Sequence, residues 1–209
     1  MDQNSLERAL YDQNMGRLIV TLGWMREIKK REERASIDYK TGLPNAEYAD
    51  RFLRDSYVNS RRAKKPLTLI YLDINHFKKI NDTLGHAAGD EFIKEVAIVL
   101  QCSISRETDR VMRLGQHADE YVIVLPYTNK QGGSTVGHKI QTAIKDYFGG
   151  KLTVAMGIST YNPRGASPIT LRQLHAQADL AMYNAKMKSR ETSEIVVYTP
   201  SMDKQMTSK

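Results

Sequence analysis

The sequence has little of what would mark a secreted, membrane-spanning or fibrous protein. One cysteine, Cys102, among 209 residues excludes an internal disulfide framework and points to a reducing compartment, so a cytoplasmic location is expected. No stretch approaches the roughly 18 apolar residues that cross a bilayer. The best candidate, LIVTLGWM at 18–25, is far too short and lacks the flanks of a cleaved signal peptide. Internal repeats and low-complexity tracts are absent, as are zinc-finger spacing and any basic stripe interleaved with aromatics. The formal net charge of +7 is instead dispersed through KKREER (29–34), RRAKK (61–65) and scattered positions. It reads as solvated surface, compatible with small anionic ligands such as nucleotides, and no nucleic-acid partner is expected.

What remains is ordinary globular composition, 41% hydrophobic and 26% charged, in a chain long enough for one domain and an appendage. Residues 1–35 read as a helix, with Tyr11, Met15, Leu18, Leu22 and Met25 stepping as a coiled-coil seam until Lys29 and Glu32 interrupt it. Two readings stand: a helix packed on the domain, or a dimerising stalk. From Asp38 onward, strands alternate with helices. TGLPN (41–45) is a turn leading into a helix at 46–62, and PLTLIYLDI (66–74) is a strand apolar on both faces, hence central. GDEFIKEVAIVLQCSI (89–104) is a helix with Phe92, Val96, Ile98, Val99 and Cys102 on one apolar side. Strands at RETDRVM and VIVLP flank the turn RLGQHADEY (113–121). A helix at 131–147, a strand at 151–160, a helix at 169–188, a strand at 194–198 and a disordered tail at 199–209 complete the chain. One antiparallel hairpin inside a βα-type order argues an α/β (α+β) fold, a mixed central sheet flanked by helices.

Three segments concentrate the residues able to do chemistry. In LDINHFKKINDTLGHAAGDEF (72–92), Asp73 closes an apolar strand, and a polar turn INHFKKIND (74–82) follows with Asn75, Lys78 and Lys79, then Gly85-His86 and Gly89-Asp90. Each taken alone reads as a cap, a turn or solvated charge. In RLGQHADEY, Asp119 or Glu120 could share a divalent cation with Asp73, since carboxylates with backbone oxygen suit Mg2+ and leave positions for phosphates. In ADLAMYNAKMKSR (178–190), Lys186 and Arg190 are four apart on one helical face, as a solvated face or a polyphosphate clamp.

Taken together, DYKTGLPN, LDINHFKKINDTLGHAAGD, RETD, HADEY, GIS and ADLAMYNAKMKSR occur in the order and at the spacing of one family. Over residues 36–198 the chain resembles the GGDEF domain family of bacterial diguanylate cyclases, with a palm-like nucleotidyl-cyclase fold. The resemblance implies that Asp73, the Ile74 carbonyl and Asp119 ligate Mg2+ (or Mn2+), and that Glu120 organises the metal and the attacking hydroxyl. It further implies that amides around Phe77, with Lys78, hold the β- and γ-phosphates, that Asn81 and Asp90 read guanine, and that Lys186 and Arg190 grip the terminal phosphate. The implied reaction joins two GTP into cyclic di-GMP with loss of pyrophosphate across a homodimer. Arg106 and Asp109 of RETD match the family's inhibitory RxxD site for product.

The signature turn departs from the family. Counting forward from RETD puts Gly115 on the first signature glycine and Gln116 on the second; counting back from VIVLP puts Asp119-Glu120-Tyr121 on the acidic pair and aromatic. The registers differ by two residues, which implies a two-residue insertion with the second glycine lost. Gln116, His117 and Ala118 then put side chains where the nucleotide approaches, and His117 reads as an exposed turn residue rather than a ligand. Asn75 stands where the family often has Asp, and Ser189 where a glycine commonly precedes the arginine. Two functions follow: an active diguanylate cyclase, or an inactive module that binds cyclic di-GMP through RxxD, or GTP, and regulates an unidentified protein partner.

Overall fold

In the computed structural model, which describes residues 36–115, 119–165 and 168–203, the run LTLIYLDI forms the central strand of a five-stranded sheet. The elements in chain order are α1 (Ala46–Ala63), β1 (Leu67–Ile74), α2 (Phe77–Leu84), α3 (His86–Ser103), β2 (Arg110–Arg113), β3 (Glu120–Pro126), α4 (Lys130–Tyr147), β4 (Val154–Tyr161), α5 (Leu171–Lys188) and β5 (Glu194–Val197), with a 3-10 turn at Pro200–Met202. Local chemistry marks several starts. Asn45 accepts from the Tyr48 amide at 3.1 Å to cap α1, Asn129 accepts from the Gly132 amide to cap α4, and Thr170 and Gln173 form a capping box on α5.

The strand order is β2-β3-β1-β4-β5. Strand β1 runs antiparallel to both β3 and β4, the β2–β3 hairpin is antiparallel, and β4–β5 is parallel. Crossovers therefore join β1 to β2 and β3 to β4, but a strand is inserted inside each, a split βαβ arrangement. The mixed sheet agrees with the sequence reading; its antiparallel share is larger than one hairpin suggests, because insertion of β3 and β1 turns each crossover pair into non-neighbours.

Alternation along β1 explains its two-sided apolar pattern. Leu67 and Leu69 pack with Ala49, Leu53, Leu174 and Ala178, from α1 and α5. Ile70, Leu72 and Ile74 pack on the opposite face with Val96, Leu100, Ile140 and Ile144, from α3 and α4. Each such Leu or Ile contributes about 1.5–3 kcal/mol by leaving water. Helix α5 sits tightly on β4 at Gly157, where a Cβ would lie 2.1 Å from the Met182 amide nitrogen. Only hydrogen fits there, so α5 and the residues it carries are seated directly on the sheet.

Several expectations need correction. Most of the expected polar turn at 74–82 belongs to helix α2 (Phe77–Leu84), because buried Phe77 and the packed Ile80 anchor that short segment to the core. Helix α3 starts at His86, Gly85 with φ +85° making the joint between α2 and α3. Its apolar side runs through Ile93, Val96, Ala97, Val99 and Leu100, whereas Ile98 is 54% exposed and Cys102 is exposed. Strand β2 begins at Arg110, because residues 106–109 close into a turn. Residues 199–203 are ordered rather than a free tail: Met202 packs on the cluster of Ala181, Met182 and Val196, and the Tyr198 hydroxyl bonds Asp203 at 2.6 Å. The expected helix over 1–35 with its seam, the tip Gln116–Ala118 and residues 204–209 lie outside the described residues. Among the described residues no helix is long and apolar enough to cross a membrane.

Candidate active site at the end of the central strands

The three carboxylates singled out in the sequence converge because β1 and β3 are paired. Asp73 is the register partner of Glu120, and the Ile74 amide donates to the Asp119 carbonyl at 3.3 Å. Residues 67, 69, 71 and 73 share the face covered by α1 and α5, so Asp73 points to α5, where Lys186 Nζ lies 2.8 Å from its Oδ2. Burial raises the Asp73 carboxyl above the usual carboxylate range, opposed by the Lys186 hydrogen bond. Burial, reinforced by the negative charge of Asp73, pushes Asp119 up to about 6. This end of the sheet thus holds more negative charge than Lys186 offsets. Beside Glu120 opens a cavity of about 410 Å3 walled in part by Tyr71, Arg172, His175 and Asp179.

That charge surplus and donor chemistry fit a hard divalent cation. Among the described residues no three His, Cys, Asp or Glu side chains form a metal cage. Two carboxylates and a main-chain oxygen would leave most positions to water and phosphate, the usual situation for Mg2+.

The phosphate and base residues lie around this core. At the start of α2, His76 takes a left-handed conformation (φ 56°) and its side chain makes no capping bond, so the first amides, at Phe77 and Lys78, are not used by a cap. Lys78 is exposed. The turn is locked from below: buried Asn75 donates to Thr153 Oγ1 at 3.0 Å, and the Thr153 hydroxyl donates to the Arg190 carbonyl at 2.8 Å. Arg190 does not share a helical face with Lys186, since α5 ends at Lys188 and Ser189 is extended (φ −161°, ψ 146°). It stays near enough for its charge to lower the Asp73 carboxyl. Helices α2 and α3 meet at Gly89, where a Cβ would lie 1.8 Å from Asn81 Oδ1, so Asn81 rests over the glycine next to Asp90.

Two participants, Lys40 and Arg113, lay outside the sequence reading, and Tyr121, expected only as the signature aromatic, gains a partner. Lys40 Nζ is 2.5 Å from Asp90 Oδ1, and this bond holds the Asp90 carboxyl below the usual range. Arg113, buried beside the signature turn, bonds Asp38 Oδ1 at 2.9 Å. The Tyr121 hydroxyl donates to the Ile93 carbonyl at 2.9 Å, tying β3 to α3.

The RxxD pair sits at the other end of the β2–β3 hairpin. Arg106 forks onto Asp109, Nε to Oδ2 at 3.0 Å and Nη2 to Oδ1 at 2.6 Å, and also donates to Thr128 Oγ1. Asp109 is buried, while the Arg106 side chain is 46% exposed.

Comparison with known proteins follows the same outline. Residues 35–192 match the family described as "Diguanylate cyclase, GGDEF domain". Diguanylate cyclase DgcP of Pseudomonas aeruginosa is 29% identical, over 93% of this chain and 31% of its own length. Probable diguanylate cyclase DgcC of Escherichia coli is 31% identical, over 76% of this chain and 42% of its own length. The chain therefore spans less than half of these relatives. The crystal structure of the coiled coil and GGDEF domain of DgcB from Caulobacter crescentus, in complex with c-di-GMP, superposes with a TM-score of 0.73 at 23% identity, covering 92% of this chain and 99% of that one. At that identity the likeness shows the fold.

Proposed function

We propose, because this chain belongs to the GGDEF domain family, that it condenses two GTP molecules into cyclic di-GMP in the cytoplasm, one GTP held by each of two antiparallel copies. The observation that carries this reading is the pairing of buried Asp73 with half-buried Asp119 at one sheet end, with Glu120 opposite Asp73 and the cations Lys186 and Arg190 beside them. Asp73, Asp119 and the Ile74 carbonyl are the donors for Mg2+ or Mn2+. Such an ion supplies charge neutralisation for the triphosphate and acidifies the attacking hydroxyl.

The chain's own groups bind and orient. Amides at the start of α2, with Lys78, take the β- and γ-phosphates, where the helix dipole favours negative charge. Arg190 and Lys186 hold the terminal phosphate, Lys186 turning from Asp73 to do so. Their charge stabilises the pyrophosphate as the bond from its oxygen to the α-phosphorus breaks. Glu120 holds the 3′-hydroxyl whose oxygen forms the new bond to phosphorus. Asn81 and Asp90 pair with the guanine edge, so a base presenting the wrong pattern leaves buried polar groups unpaired.

Purified protein incubated with GTP and Mg2+, with products separated chromatographically, tests the reading. Cyclic di-GMP and pyrophosphate are expected, with Asp119→Ala lowering the rate by roughly two orders of magnitude or more. No product from the wild type, together with equal GTP binding by the variant, would sink it.

A second reading, a cyclic di-GMP binding module, is favoured by the ready-made Arg106–Asp109 fork. Calorimetry with cyclic di-GMP should show binding lost in Arg106→Ala; identical isotherms would remove it.

A further inference from the structure

We propose that Lys40 is a specificity-determining residue, completing with Asp90 a three-point reader of the guanine edge. The inference rests on the reading of the chain as a GTP-binding cyclase, and adds a residue that the sequence motifs did not nominate. The Lys40 ammonium lies 2.5 Å from Asp90 Oδ1, which puts a donor on Lys40 beside the two acceptor oxygens of Asp90. The guanine edge presents the complementary groups, O6 as acceptor, then N1–H and the N2 amino group as donors. Adenine puts an amino donor where guanine has O6 and an acceptor at N1, so it opposes the pair at two points. The pair thus accepts guanine and rejects adenine by charge and hydrogen bonding together.

Lys40 is placed to do this by a braced turn. The Asp38 amide donates to the Leu43 carbonyl at 2.8 Å, and the Gly42 amide donates to the Asp38 carbonyl at 2.9 Å. The Asp38 carboxylate accepts from the Thr41 amide and hydroxyl at 3.0 and 2.7 Å, and from buried Arg113. Leu43 is fully buried. The Lys40 side chain is 17% exposed and that of Asp90 39%, so the ammonium is partly desolvated while the carboxylate stays open to a ligand. A surface ion pair of this kind adds little to stability. An ammonium has three donors, and Asp90 uses one.

The test is competition binding to the whole chain with two probes, both α,β-methylene triphosphates that cannot lose pyrophosphate. One carries guanine. The other carries 2-aminopurine, which keeps the N2 amino group and lacks both O6 and the N1–H. Lys40→Met is expected to weaken the guanine probe about tenfold, the size of one charged hydrogen bond, and to leave the 2-aminopurine probe unchanged. Lys40→Arg, with donors at the same place, should keep the preference. Equal loss of both probes in Lys40→Met would mean that Lys40 only orients Asp90, and tighter guanine binding would mean that it obstructs the site; either result overturns the inference. If the wild type binds neither probe, the GTP reading fails first and the inference falls with it.

Discussion

Replacing Asp119 by asparagine should make the protein more stable and the site inert. Asp119 keeps its shape in that change but loses the charge that burial and Asp73 oppose. The gap between about 6 and the ordinary 3.8 corresponds to about 3 kcal/mol at neutral pH. Asp119 is only partly buried, so solvent screening reduces this to about 1 kcal/mol. Between pH 4 and 6 the folded protein holds a proton that the unfolded chain has released. Stability therefore falls as pH rises through that window and stays lowered above it. Urea unfolding at pH 7.5 should show Asp119→Asn more stable than the wild type by about 1 kcal/mol, or about 2–4 °C in Tm. At pH 4 most of the difference should vanish, because the wild-type carboxyl is then protonated in the fold. Added Mg2+ with GTP should stabilise the wild type and leave the variant unmoved. A variant that is no more stable at pH 7.5, or whose gain persists unchanged at pH 4, would refute the picture of two crowded carboxylates.

Gly157→Ala puts a methyl 2.1 Å from the Met182 amide nitrogen and 2.2 Å from the Ala178 carbonyl, and α5 must lift to admit it. A loss of about 2–3 kcal/mol in chemical denaturation is expected, with weaker GTP binding because Lys186 moves with α5; an unchanged midpoint would contradict the close seating. Asp38→Ala takes the carboxylate from the buried Arg113 guanidinium and unties the Lys40 turn. It should cost about 3 kcal/mol, read as a shift in the urea midpoint, and a shift within experimental error would show that the pair is dispensable.

Near-neighbour chemistry settled much of this protein in the sequence itself. The apolar run Leu67–Ile74 could only be a strand covered on both sides, the asparagine at 45 starts a helix, and the acidic pair at 119–120 is carried by the strand that follows. The ordered series of motifs is enough to identify the family, because ligand-binding residues keep their spacing along elements whose period is local. Long-range pairing was not legible. Helix α2 exists because Phe77 and Ile80 find the core, not because eight residues favour a helix, and a polar turn was the natural reading. Arg190 leaves α5 because Ser189 turns extended, so a spacing of four did not mean a shared face. The pairs Arg113–Asp38 and Lys40–Asp90 join residues 75 and 50 positions apart. Periodicity reports which face of an element is apolar, whereas the partner of a charge depends on which elements the sheet brings together. The sequence therefore determined the strands, helices and carboxylates, and the tertiary structure decided which charges meet, since only the insertion of β3 beside β1 sets Glu120 opposite Asp73.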